Sequence, residues 1–254
     1  MSQQFSNFET QLMQTLLKKA AAYKGRTHPN PAVAACIYKK EHIISFGVHK
    51  KHGKDHAEVA AIKAAKEPIE GASIMVTLEP CTHYGRTPPC TQKIIEVGLK
   101  EVIYAIDDPF EKVAANKAKS LLEKQGITVK KGLLEKKAFD LNKEYFYFHQ
   151  NKRPWVHLKA ASTLDGKIAL ASGESKYITS NASRKEVHRL RASCNAIMIG
   201  AKTLTYDNPL LTIRDYKVKK THVLPTLIVI SSTLDLTVPY NIFKTGYPTL
   251  LITS

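Results

Sequence analysis

His56-Ala57-Glu58 is followed further along the chain by Pro80-Cys81 and then by Cys90. This set constrains the fold more than any periodicity does. If these side chains meet, separate stretches of chain must return to one point, each on a rigid element. One His and two Cys hold Zn²⁺ and leave its fourth position open for water. The metal lowers that water's pKa from about 15.7 to about 7. Glu58 stands too close to His56 to be a fourth ligand and is left free to move protons. The competing readings are a buried His with two small core thiols, or a disulfide, which a reducing compartment disfavours. In the core reading Glu58 would be a buried charge without a partner, which is costly. The two Cys also bound a polar, turn-rich run, Glu79-Pro80-Cys81-Thr82-His83-Tyr84-Gly85-Arg86-Thr87-Pro88-Pro89-Cys90, unlike a core strand. The pattern H-x-E with P-C and a later Cys is the zinc deaminase arrangement.

Periodicity places these residues at element ends. Residues 8–23 have helical spacing, with Leu12, Leu16 and Leu17 on one face. Residues 33–38 and 42–48 read as strands joined by Lys39-Lys40-Glu41, a hairpin. Residues 56–65 are Ala-rich and helical, with His56 and Glu58 in the first turn. A strand at 73–78 precedes a helix at 91–97 that stops at Gly98. Cys90 therefore opens that helix, where the dipole favours a thiolate. A strand at 102–106, a helix at 116–125 and a strand at 128–131 follow. Strand and helix alternate after the hairpin, which predicts an α/β layered domain with the metal at the strand ends. Residues 142–149 are polar and aromatic, and Asn151-Lys152-Arg153-Pro154 reads as a linker. A second α/β unit is expected beyond it, with strands at 155–160, 196–199, 225–230 and 249–252 and a helix at 184–191. The expected domains are 1–150 and 151–254.

With 43% hydrophobic and 24% charged residues, a chain of 254 residues is a soluble globular protein of one large or two ordinary domains. No apolar run reaches the ~18 residues that would span a bilayer, and the N-terminus lacks the plan of a signal peptide. Cys36, Cys81, Cys90 and Cys194 have no regular spacing and make no disulfide framework. A cytoplasmic location and no membrane partner are expected. The net charge of +16 would attract nucleic acid through counterion release. Lys is scattered, however, with no block of five basic residues, so a solvated face is expected and no nucleic-acid partner. A phosphorylated small molecule needs only a few local cations.

The chain resembles the bifunctional riboflavin-biosynthesis deaminase/reductase family nearly from end to end. The resemblance is carried by His28-Pro29-Asn30-Pro31-Ala32-Val33, the run 77–90, Leu164-Asp165-Gly166-Lys167, Gly173-Glu174-Ser175 and the run 203–214. The eight residues between Cys81 and Cys90 set it apart from the P-C-x-x-C of nucleoside and tRNA deaminases. The resemblance implies a cytidine-deaminase-like three-layer α/β domain with a mixed sheet. A dihydrofolate-reductase-like α/β domain follows it. The first domain would remove the 2-amino group of 2,5-diamino-6-ribosylamino-4(3H)-pyrimidinone 5′-phosphate. The second would use NADPH to reduce the ribosyl group to ribityl. By resemblance His56, Cys81 and Cys90 hold one Zn²⁺, and Glu58 is the proton-transferring catalytic residue. Asn30, His49, His83 and Arg86 would contact the phosphorylated pyrimidine in the first domain. Ser175, Arg191, Leu211 and Arg214 would contact it in the second, the two Arg suiting its phosphate. Ala161, Tyr177, Thr203 and Asp207 would line the NADP site, with Asp165 near the reacting centre.

Departures from the family are Ala34 for a Gly, Asp108-Pro109-Phe110-Glu111 for D-P-N-P, and Ser231 for a strand Asp. Family members also run on for roughly 100 residues on ordinary domain sizes, a part that carries a Gly-rich loop for the cofactor phosphates. The second domain is accordingly expected to be truncated, with open apolar sheet edges. The chain is expected to deaminate and to reduce poorly. Assembly into a homo-oligomer is left open. The rival readings are a tRNA or nucleoside deaminase, and a non-catalytic zinc-stabilised nucleic-acid-binding protein. The second rival's structural site would take four protein ligands and no spare Glu.

Overall fold

The computed structural model describes residues 5–85, 88–110, 117–218, 223–233 and 239–253. The chain divides into two compact units, Met1–Val156 and His157–Ser254.

The first unit is built on strands β1 (Ala34–Lys39), β2 (His42–Val48), β3 (Ser73–Val76), β4 (Glu101–Tyr104) and β5 (Thr128–Lys131) in the order β2-β1-β3-β4-β5. β1 is antiparallel to β2 and β3, whereas β3, β4 and β5 run parallel, so the sheet is mixed. β1 and β3 are buried along nearly their whole length, and their apolar runs show no alternation because both faces are covered. Helix α1 (Asn7–Ala21) covers one face, joined by α5 (Glu135–Leu141) and α6 (Lys143–Asn151). Leu12, Met13 and Leu16 meet Ala34, Cys36 and Met75 there, with Ala138 and Phe146 from the later helices. The opposite face carries α2 (Ala57–Ala64), α3 (Cys90–Glu96) and α4 (Lys117–Glu123). Ala57, Ala61, Ile94 and Leu122 pack there on Ala35, Ile37, Ile74 and Val102. Alternate residues of each strand point to opposite layers, which makes the three-layer arrangement.

Two local features set the entry of α2. A Cβ on Gly47 would lie 2.0 Å from the Ala57 carbonyl oxygen and 2.2 Å from the Ala61 nitrogen. Only glycine lets the helix sit this close to β2. The Ser45 hydroxyl then donates to the Ala61 carbonyl at 2.7 Å. On the other side, Ser6 caps α1 and Glu9 closes the capping box by accepting from the Ser6 amide.

The second unit holds a parallel sheet, β6 (Ala196–Gly200), β7 (Thr226–Ile230) and β8 (Thr249–Ile252), in that order. Helices α7 (Asn181–Ser193) and α8 (Ala201–Asp207) accompany it, with a 3-10 turn at Asn241–Lys244. Its core gathers Leu204, Leu211, Leu227, Val229, Tyr240 and Ile242.

The elements differ from the sequence expectation in four places. Residues 155–160 lie outside the strands: Val156 and Leu158 are 70% and 96% exposed, and among the described residues the segment pairs with no strand. An alternating pattern makes a strand only where a neighbouring edge supplies hydrogen bonds. The polar-aromatic stretch after residue 142 is helical, because Phe146 finds a place in the first core. Helices α5 and α8 were not anticipated, and both are a single short run of seven residues.

Candidate metal centre

The parallel strand order sends the loops after β3 and β4 out at the same end of the sheet, and the starts of α2 and α3 come to that end. His56 is the N-cap residue of α2, Glu58 lies in its first turn, and Cys90 opens α3. Cys81 follows β3 on the loop between them. The His56 Nδ1 stands 3.5 Å from the Cys81 sulfur and 3.3 Å from the Cys90 sulfur. Metal–sulfur and metal–nitrogen bonds of about 2.3 and 2.05 Å at a tetrahedral angle put S and N about 3.6 Å apart. The donor set and its spacing therefore fit Zn²⁺. Among the described residues this is the one His, Cys, Asp and Glu cluster with ligand atoms all within 4.8 Å of one another.

The electrostatics are those of a proton-sharing group. A hydrogen bond from Cys90 is the main reason the Cys81 thiol is drawn below the usual thiol range, while burial works against it. Cys90, bonded to that thiolate and buried, is pushed well up. His56 is raised to about 9, chiefly by its bond to Cys81. The Cys81 sulfur also accepts the Cys90 backbone N–H at 3.3 Å, and its carbonyl accepts the Thr91 hydroxyl at 3.2 Å. Glu58 is only 4% exposed, and burial raises its carboxyl to about 7, with the Cys81 charge adding to the rise. It lies within hydrogen-bonding reach of Cys90 and outside the ligand cluster.

Asn30 and His49 are brought together beside this group. His49 Nδ1 is 2.9 Å from the Asp55 carbonyl, so that nitrogen carries the proton and donates. Its Nε2 then accepts from the Asn30 amide nitrogen at 3.1 Å. Burial keeps the ring below the usual histidine range. The chain orients Asn30 with its Nδ2 engaged and its Oδ1 on the other side, 3.4 Å from His52 Nδ1. The His49 and His56 rings meet edge to face at 5.5 Å. His83 packs edge-on against Phe110 at 5.5 Å, and among the described residues its buried Nδ1 has no hydrogen-bond partner. Arg86 lies outside the described residues.

Sequence reasoning passed over four residues that hold this site. Both oxygens of Glu79, 3% exposed, accept backbone N–H groups, from Asp108 at 3.1 Å and Ala118 at 3.2 Å. Its place two residues before Cys81 was the available signal. Asp108 accepts the Tyr145 hydroxyl and the Phe110 N–H, both at 2.9 Å. Phe110, noted only as a departure, packs on Cys81 and Cys90. Asn142 grips both the N–H and the carbonyl of Ala32, at 2.9 and 3.0 Å, and so steadies the segment bearing Asn30.

In the second unit Arg191, Leu211 and Arg214 come together. Arg191 donates to the Thr212 carbonyl at 3.0 Å, and Leu211 is buried at φ +54° in the same loop. Ser175 is half-buried and Tyr177 exposed, its ring under the Arg184 guanidinium at 4.2 Å. Thr203 and Asp207 are on α8, and Ala161 belongs to neither a helix nor a strand. Asp165 accepts the Thr163 hydroxyl in an exposed turn. Among the described residues no hydrogen bond, ion pair or ring contact joins Ala161, Tyr177, Thr203 and Asp207 to one another.

Comparison with known proteins agrees with this geometry. The family model for the cytidine and deoxycytidylate deaminase zinc-binding region matches residues 6–106, and that for the RibD C-terminal domain matches residues 154–254. The riboflavin biosynthesis protein RibD of Aquifex aeolicus is 42% identical over 242 residues, 95% of this chain and 67% of the relative. The chain belongs to the RibD family. RibD of Escherichia coli is 41% identical over 80% of this chain and 55% of its own length. The crystal structure of a diaminohydroxyphosphoribosylaminopyrimidine deaminase/5-amino-6-(5-phosphoribosylamino)uracil reductase from Thermotoga maritima has a TM-score of 0.90 at 36% identity. It covers 97% of this chain, which spans 70% of that one. The chain thus spans between about half and about two thirds of the length of most curated RibD relatives it matches. Among the described residues no helix is long and apolar enough to cross a membrane.

Proposed function

We propose that the first unit hydrolytically deaminates 2,5-diamino-6-ribosylamino-4(3H)-pyrimidinone 5′-phosphate, with His56, Cys81 and Cys90 holding Zn²⁺. The observation that carries this reading is the three-ligand cluster with the buried Glu58 beside it and outside it. When bound, the metal supplies a water acidic enough to lose a proton near neutral pH. Glu58 takes that proton at a carboxylate oxygen. Carbon 2 of the ring gains the oxygen and Glu58 passes that proton to the ring nitrogen; Glu58 then takes the second proton from the new hydroxyl and gives it to the amine as the exocyclic C–N bond breaks. The products are the ring carbonyl and ammonia, with one carboxyl serving as base and then acid. Asn30 offers Oδ1 to an N–H of the aminopyrimidine, its orientation held by neutral His49. His83 and Arg86 are assigned to the substrate's polar groups.

For the second unit we infer NADPH-dependent reduction of the ribosyl group to ribityl. The support is the match of residues 154–254 and the Arg191–Arg214 loop, which suits a phosphate. Ser175 and Leu211 are assigned to the same substrate, and Ala161, Tyr177, Thr203 and Asp207 to the cofactor. The described residues bring no two of these four into polar contact, and the cofactor's position follows from none of them. The test is a coupled assay of ammonia release and NADPH oxidation with zinc-loaded protein and the aminopyrimidine. Ammonia release that requires zinc supports the first assignment. Salt-sensitive tRNA binding with no release from the small substrate would overturn it in favour of a tRNA deaminase.

A further inference from the structure

The Arg191–Arg214 pair is held by a loop with little regular structure of its own. Residues 211–214 belong to neither a helix nor a strand, yet three side chains grip consecutive backbone groups there. Arg191 donates to the Thr212 carbonyl at 3.0 Å. The Tyr247 hydroxyl accepts the Ile213 N–H at 3.1 Å. His188 Nδ1 accepts the Arg214 N–H at 3.1 Å. Arg214 also reaches back to the Thr212 hydroxyl at 3.3 Å.

Keeping two guanidinium groups near each other is unfavourable. Burial first, and then the nearby Arg214, hold Arg191 below its usual value. Among the described residues neither Arg has a carboxylate partner in an ion pair. The loop must therefore be held against like-charge repulsion, and the holding groups are identifiable. His188 is 5% exposed, one turn before Arg191 on α7. Because Nδ1 accepts, the ring proton sits on Nε2, which faces the Asp215 carboxylate at 3.5 Å. Asp215 thus fixes the tautomer that the Arg214 N–H requires.

We infer that His188 and Tyr247 are positioning residues for an anion site formed by Arg191 and Arg214, acting through the backbone of residues 212–214. The inference rests on the reading of the Arg pair as the seat of the substrate's phosphate. Neither His188 nor Tyr247 touches the anion. Each removes one degree of freedom from the loop that carries the second guanidinium.

Inorganic sulfate, which stays dianionic across the working pH range, is the probe. It is titrated into 15N-labelled full chain at constant ionic strength, and its dissociation constant is read from the arginine Nε–Hε and loop amide shifts. Tyr247→Phe deletes one acceptor atom and leaves the ring in place. His188→Leu removes the Nδ1 acceptor at similar bulk. His188→Asn restores an acceptor, Oδ1, near the Nδ1 position. The loss of one net hydrogen bond predicts about fivefold weaker sulfate binding in Tyr247→Phe and in His188→Leu. His188→Asn is expected within about twofold of the parent. Unchanged binding in Tyr247→Phe would overturn the inference, even if His188→Leu failed to fold. Equal weakening in His188→Asn and His188→Leu would also overturn it, by assigning the effect to ring packing. If the parent shows no sulfate-dependent shifts, or shifts that survive Arg191→Ala and Arg214→Ala, the phosphate reading fails and the inference fails with it.

Discussion

Glu58 sits in the first turn of a helix, buried, where an ordinary glutamate would be exposed and ionised. Burial is the largest reason its carboxyl rises to about 7, a value suited to taking and returning a proton near neutrality. Glu58→Gln keeps the volume and all three ligands. It is expected to retain zinc while ammonia release falls by about 10²- to 10⁴-fold; parental turnover would remove Glu58 from the reaction. Cys90→Ser should sharply lower zinc content by metal analysis, because the thiolate supplies much of the binding energy. Glu79 tests a different role. Its two oxygens each receive a backbone N–H, and glutamine offers only one acceptor while turning an amide donor toward the other. Glu79→Gln should cost about 1–3 kcal/mol in urea unfolding. An unchanged midpoint would mean that Asp108 and Ala118 are held by other means. These side chains were unevenly legible. His56, Glu58, Cys81 and Cys90 stood out because each residue type has an unusual chemistry at that spacing. Glu79 did not, because its partners are backbone groups far along the chain.

At the scale of elements, the placement of α2 decides whether the ligands meet. Gly47 permits it, since any side chain there would overlap the backbone of Ala57 and Ala61. Gly47→Ala is expected to destabilise by ~3 kcal/mol, the upper part of the overpacking range, and to weaken zinc retention by shifting His56. Thermal unfolding together with metal analysis checks both. Most strands and helices were visible as periodicity, notably β1, β2 and β3, whose apolar runs are long. The exceptions share a cause. Residues 155–160 carry a strand-like pattern, but a pattern supplies no partner edge. Residues 143–151 carry aromatic and charged residues without a clean helical stripe, and their helix forms because Phe146 and Tyr145 find places beside α1 and Asp108. Tertiary contacts overrode local preference in both cases.

For the molecule as a whole, each unit closes its own core: one on the two faces of the mixed sheet, the other around Leu227 and Val229. A metal that binds only folded protein stabilises the unit that holds it, by about 4 kcal/mol at a thousandfold excess over its dissociation constant. Chelation should therefore lower the melting temperature of the first unit. Calorimetry with and without chelator reads this directly, and an unchanged trace would place the metal's binding energy outside that fold. The family, the two-unit plan and the three residues proposed as ligands were all legible in the residues, because ligand chemistry and turn-rich motifs are local properties. What only the tertiary structure decided is how the site is held. The buried carboxylate of Glu79, the Asn142 grip on Ala32 and the fit of α2 over Gly47 join positions distant in sequence. Such contacts exist only after the chain has packed, since each depends on the exclusion of water from a backbone group that no local pattern marks.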